Sequence, residues 1–178
     1  MQNVTIGSGV VTQDAASLIE GAHATSSIDW AFYACDKERC TLSARNVFHG
    51  RNGGGEITIK GVAEGHASAR CDGMIEIGEA GNGTQTYLTE DVLMLDATAK
   101  VDAVPALEIR TNDVKASHSA TVSRVSEADI FYFAARGIPA DVARHMYVQG
   151  FLTDVLRSVE IQQWRETVET ALREKYVR

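Results

Sequence analysis

The 178-residue chain has only three cysteines, Cys35, Cys40 and Cys71, which form neither an even set nor a CxxC pair. That excludes a disulfide framework, fits a reducing compartment and argues against a self-contained zinc site. Basic residues are also short, with 17 Lys and Arg against 24 Asp and Glu and a net charge of −7. No basic stripe interleaved with aromatics occurs, so phosphates would find no clustered cations and nucleic acid is a poor candidate partner. Apolar runs stay well below the ~20 residues that span a bilayer. The start, MQNVTIGSGV, lacks a basic segment followed by an apolar one. These absences predict a cytoplasmic protein with no membrane partner.

Hydrophobic residues at 44% and charged residues at 23% are ordinary soluble proportions, enough for a real core in one domain or a domain with an appendage. Thirteen of the 15 glycines lie in residues 1–124; only Gly137 and Gly150 follow. Glycine-dense turns between short alternating stretches read as strands, which places a boundary near Arg124. Within the first part an apolar pair recurs: Ile57 and Ile59, Ile75 and Ile77, Leu93 and Leu95, Leu107 and Ile109. A pair returning about every 18 residues suits a coil of strands whose rungs stack inward side chains on one another; a β-sandwich is the rival. The clusters RNGGGE, EAGNGT and KGVAEG read as corners. No Gly-Lys-Ser/Thr follows RNGGGE and no helix opens there, so it is a turn and not a phosphate cradle.

Beyond Arg124 the period becomes helical. Ser126 and Asp129 resemble a capping box opening SEADIFYFAAR, with Ile130, Phe133 and Ala134 on one face and Gly137 as the stop. Pro139 opens a second helix with a stripe of Val142, Met146, Phe151, Leu152, Val155 and Val159. Gly150 inside that helix costs about 1 kcal/mol against Ala, which close helix contact would offset. A third segment repeats the pattern with Ile161, Trp164, Val168, Leu172 and Tyr176. Three short helices cannot bury stripes of this width among themselves, so they pack on the β part or on a partner. The organisation read from the chain is a β core over 1–124 and a helical domain over 125–178.

The run AKVDAVPALEIRTNDVKASHSATVSRVSEADIFYFAARGIPADVARHMYVQGF carries a resemblance: PALEI, DVK before a histidine, SH with AT close behind, a serine-capped helix with FYF, then RGI and GF. Together with the looser match of KGVAEGHASARCDGMIEI, it closely resembles the C-terminal signature of the SufB/SufD family, scaffolds of SUF iron–sulfur cluster assembly. The resemblance spans about residues 55 to 158. It implies a right-handed parallel β-helix followed by a small helical domain, in a short form lacking the family's usual N-terminal part. It further implies a non-catalytic scaffold that dimerises through its last rungs, with itself or a SufB/SufD-type paralogue. A SufC-like ABC ATPase would dock on the segment from Ser126 to about Val159, through Phe131, Tyr132, Arg136, Gly137, Ile138 and Phe151.

By position, His118 matches the histidine that the family places at the subunit interface, where nascent iron or an iron–sulfur cluster is held transiently. A neutral imidazole is a good iron ligand, but one imidazole does not hold a cluster. The chain departs from the family pattern nearby: Ser119 replaces a glutamate, Glu90 stands where SufB-type members carry a cysteine, and Ala116 replaces the cysteine of the SufD-type CSH. Three sources of further ligands stay open: Glu90 as a hard oxygen donor, Cys71 approaching in space, or His118 of a second copy across a two-fold axis. Cys71 on its own reads as a buried small residue, and Cys35 and Cys40, five apart, find nothing to complete a site. Two alternatives remain, an adaptor that has lost metal chemistry and a polysaccharide-active β-helix. The second is disfavoured by an aromatic content of 7% concentrated in the helical part.

Overall fold

The computed structural model describes residues 1–7, 9–156 and 162–176. Ten strands come first: β1 (Gln2–Ile6), β2 (Val10–Ile19), β3 (Thr25–Ala34), β4 (Arg39–Phe48), β5 (Gly54–Ala63), β6 (Ser68–Ile77), β7 (Thr84–Met94), β8 (Lys100–Ala103), β9 (Ala106–Ile109) and β10 (Val114–Arg124). Three helices follow, α1 (Glu127–Ala134), α2 (Ala140–Leu156) and α3 (Gln162–Tyr176). The strands alternate between two parallel sheets, one ordered β1-β3-β5-β7-β10 and the other β2-β4-β6, with β8 and β9 both pairing β6. Each turn of about thirty residues gives one strand to each sheet, so the chain winds into a parallel β-helix of about four turns.

Alternation explains why the strands form where they do. In RCTLSARNVF of β4, Cys40, Leu42, Ala44, Asn46 and Phe48 point into the lumen, while Arg39, Thr41, Ser43 and Arg45 face out. Neighbouring turns repeat the choice in register, so Ile28, Ile57 and Leu88 form one fully buried column. Each such side chain contributes roughly 1.5–3 kcal/mol on leaving water. Two of the polar side chains that enter the lumen are paired: Asn46 accepts from Ser26 Oγ at 3.1 Å, and Trp30 Nε1 donates to Thr5 Oγ1 at 2.9 Å.

The register corrects the spacing read from the sequence. Ile57 lies on β5 and Ile75 on β6, so the 18-residue interval is the step from one sheet to the other and not a full turn. Ile75 does stack on Leu107, and Ile77 on Ile109. Leu93 and Leu95 join neither lumen column, because β7 turns Leu88, Glu90 and Val92 inward and leaves Leu93 on the outer face beneath the helices. The corners are occupied largely as expected, with Gly65 (φ 65°) and Gly83 (φ 78°) in left-handed conformations. Gly61 is different. It lies inside β5, where a Cβ would sit 1.9 Å from the Phe32 ring that fills the neighbouring turn.

Strand structure ends at Arg124, and the capping box forms as the sequence suggests: Ser126 Oγ accepts from Asp129 N–H, and the Asp129 carboxylate accepts from Ser126 N–H. α2 and α3 cover the outer face of the sheet that contains β3 and β5, burying Val148, Leu152, Val155, Val168 and Leu172 against Ala31, Tyr33, Val62 and Leu93. The α2 stripe holds at Leu152 and Val155, which are buried as expected, and fails in the first half of the helix, where Ala143 and Val148 are buried while Val142 and Met146 are exposed. Val148, Leu152 and Val155 form the helix face that meets the sheet. In α3, Val168 and Leu172 are buried as expected and Trp164 is exposed. Val159, Ile161 and the side chain of Tyr176 lie outside the described residues. Lys175 ties α3 to the β-helix through Glu38 at 2.8 Å and the Gly7 carbonyl.

Among the described residues no close contact compensates for Gly150, since a Cβ added there meets nothing within 4 Å. Gly150→Ala therefore raises stability by about 1 kcal/mol. Gly61→Ala lowers it by about 1–3 kcal/mol through overpacking against Phe32. Urea unfolding of the two variants checks both signs.

Candidate functional site

Every lumen column needs a turn above and below it, and the last one has none below. Among the described residues β10 pairs only with β7, while the opposite sheet ends with the two four-residue strands β8 and β9. The alternation in VKASHSATV sets Val114, Ala116, His118, Ala120 and Val122 on the side that faces the lumen in earlier turns. His118 is in register with Leu88, Ala120 with Glu90 and Val122 with Val92. Val114 and Ala116 still pack on the core, whereas His118 and Ala120 are exposed and Val122 is 46% exposed. His118 is open to solvent because the solenoid ends there, although its register is that of an interior position.

Glu90 is one turn back, in the column Trp30, Ile59, Glu90, Ala120. It is fully buried. Gly73 lies opposite, at the break in the ladder where β6 passes from Cys71 paired with Ala103 to Met74 paired with Ala106. Its N–H donates to Glu90 Oε1 at 2.7 Å, and a Cβ at Gly73 would stand 2.7 Å from that same oxygen. Oε2 has no hydrogen-bond partner among the described residues. Burial pushes the Glu90 pKa up to about 7; the Gly73 N–H opposes that rise and the Asp72 charge adds to it. Asp91, the next residue, faces outward toward Lys60 at 3.9 Å, as alternation requires.

Cys71 is also fully buried in the lumen, its thiol held well above the usual range by burial first and the nearby Glu90 second. Burial and then Glu38 push Cys35 and Cys40 to about 11. In all three, burial disfavours the thiolate, the state that ligates metal or attacks sulfur. The structure thus brings Cys71 and Glu90 together inside the last closed turns and leaves His118 one turn beyond. Among the described residues no group of three or more His, Cys, Asp or Glu is disposed to hold a metal ion.

The residues read as a docking surface divide in two. Phe131 is 73% and Tyr132 55% exposed, Arg136 stacks over the Tyr132 ring at 3.6 Å, and Gly137 closes α1 at φ 77°. Ile138 is half-buried, and α1 buries no residue at all. Phe151 turns the other way, packing on the outer-face cluster with Lys60 5.8 Å from its ring. Reading the sequence for single ligands missed Ala120 and Val122, the exposed apolar companions of His118. The strict alternation of Val114 to Val122 was the signal that could have found them.

A parallel β-helix with an uncovered last turn and helices packed on one flank is the class that fold and site define. The chain belongs to the SufB/SufD family: the family described as SUF system FeS cluster assembly, SufBD core domain, matches residues 1–151. An iron-sulfur cluster assembly SufBD family protein of Mycobacterium bovis is 29% identical over 157 residues, covering 88% of this chain and 19% of that protein. A SufBD family protein of Synechocystis is 24% identical over 159 residues, 89% of this chain and 33% of the relative. The iron-sulfur cluster assembly protein SufD of Escherichia coli is 35% identical over 107 residues, 58% of this chain and 25% of SufD. The chain therefore spans about a fifth to a third of the length of these relatives. No described helix is long and apolar enough to cross a membrane.

Two outcomes follow from the interior of the last turns. Because the folded protein holds the Glu90 pKa at about 7 against an ordinary 4.5, folding favours the protonated form, and stability falls as pH rises from about 4.5 through 7. Glu90→Gln removes that slope, on the order of 3 kcal/mol in all, in denaturant titrations at pH 5 and pH 8. Iodoacetamide at pH 7.5 leaves all three thiols unmodified in the native protein and labels all three after unfolding, as read by intact mass.

Proposed function

We propose that the chain is a scaffold subunit of a SUF-type iron–sulfur cluster assembly complex, without catalytic turnover of its own. The observation that carries this reading is His118 exposed on the lumen-side register of an uncovered last turn. Nascent iron or cluster is then the cargo, held transiently at a seam rather than as a resident cofactor. The free edge of β10 offers unpaired N–H and C=O groups, and a second copy or a SufB/SufD-type paralogue pairing there would cover Ala120 and Val122. The same pairing would bring further ligands to His118, which its own chain supplies poorly: Cys71 is a buried thiol, and Glu90 is a hard oxygen donor only once deprotonated.

The partner that drives the cycle is, in this reading, a SufC-like ABC ATPase seated on the helical part at 125–178. Its contact is the aromatic edge of α1 at Phe131, Tyr132 and Arg136, with Gly137 and Ile138 beside it. Phe151 acts from beneath, linking α2 to Lys60 and so to the β core over 1–124. For ATP to change the seam, the ATP-bound partner must contact the scaffold differently from the free one.

A second reading, an adaptor that docks the ATPase but handles no metal, is favoured by the three inert thiols and by Ser119 and Ala116. Anaerobic co-expression with a SUF-type ATPase separates the two. On the scaffold reading the complex retains iron, and His118→Ala abolishes that retention while leaving the melting temperature unchanged; iron equal in wild type and variant contradicts it. Phe131→Ala with Tyr132→Ala lowers ATPase co-purification at least about tenfold, the effect of losing two central aromatic anchors.

A further inference from the structure

Across the outer face of the sheet that ends in β10, away from the helices, a groove of about 670 Å³ runs along the solenoid axis from β3 to β10. Its walls are two columns of outward side chains set by the strand register. Gln85 and Lys115 stand on one side; Ser27, Glu56 and Tyr87 on the other. Gly54 leaves a notch in the first wall between Thr25 and Gln85. Gly55 lies on the floor, where a Cβ would fall 1.9 Å from the Ser26 carbonyl oxygen. Asn46, itself fully buried, fixes this floor from inside by accepting from Ser26 Oγ and donating to the Glu56 carbonyl. Thr86, on the lumen-side register between the outward Gln85 and Tyr87, completes the floor beside Gly55 and is 7% exposed.

We propose that this groove binds a neutral oligosaccharide lying along the solenoid axis, with one sugar face on Tyr87. Three features select that chemistry. One acid and one base oppose each other in the lining, so no excess charge calls for a phosphate or a polyanion. β3, β5 and β7 spend their backbone groups on the parallel ladder, so a peptide lying across them could not add as a strand. What remains is a row of hydroxyl, amide and carboxylate groups repeating at the strand separation of about 4.8 Å, close to the length of one pyranose ring. Tyr87, 41% exposed, is an amphipathic ring at the middle of that row. The groove shares β10 with His118 but is lined by neither His118 nor any α1 residue, so its test reads separately from that of the scaffold reading.

The test is calorimetric titration of the full chain with cellohexaose, xylohexaose and chitohexaose, each to about 10 mM, a limit that still detects millimolar binding. At least one is expected to bind. Tyr87→Ala and, separately, Gly54→Leu, which fills the notch, should each weaken it at least about tenfold, equivalent to ~1.4 kcal/mol, with circular dichroism and melting unchanged. Absence of heat with all three sugars, or binding that both variants leave intact, would overturn the proposal. Saturable binding of an extended peptide in the same groove without any sugar binding would also overturn it.

Discussion

The structure depends on one constraint: each turn of the solenoid buries its inward side chains only by resting on the next. Ile28 rests on Ile57, and Ile57 on Leu88. The next member of that column is His118, and with it the column stops being apolar and stops being covered. The opposite sheet has already shortened to two four-residue strands, and among the described residues His118, Ala120 and Val122 stay exposed across from it. An end of this kind exposes both a sheet edge and the inner face of a strand, two surfaces that proteins ordinarily pair or cover.

The same constraint accounts for the chemistry next to that end. Glu90 occupies a lumen position that Trp30 and Ile59 fill in earlier turns. Its carboxyl is accommodated because Gly73 has no side chain and sits at the break between β8 and β9, where its N–H is available to an oxygen. A buried acid with one oxygen unpartnered among the described residues is costly, and its raised pKa expresses that cost. Cys71, two residues from Gly73, shares this enclosed space and stays a thiol. The interior of the last turns therefore favours neutral groups, and the exposed imidazole of His118 beyond them is an accessible nitrogen donor at that end.

Much of this was legible in the sequence, for physical reasons that differ by element. The capping box at Ser126 and Asp129 depends on neighbours three residues apart and formed as written. The coil of strands was legible because alternation and glycine corners are local. The length of a turn was not: Ile57 and Ile75 look like one repeat, and only pairing reveals that they belong to opposite sheets. Leu93 misled for the same reason, since an apolar residue on a strand gives no sign of which face a helix will cover. Val142 and Met146 satisfied a helical period yet stayed exposed, because the sheet selects the face that α2 buries. His118 was found through its family resemblance. Its companions Ala120 and Val122 were written in the alternation but went unread, because small apolar residues on a strand ordinarily signal a covered face.

The most direct test of the account concerns the imidazole itself. In ¹⁵N-histidine-labelled protein under anaerobic conditions, ferrous ion added in small steps should broaden the His118 ring signals first, with His23, His49, His66 and His145 unaffected at the same additions. Broadening of the other imidazoles while His118 stays sharp would contradict the claim that the uncovered last turn is where this chain meets iron.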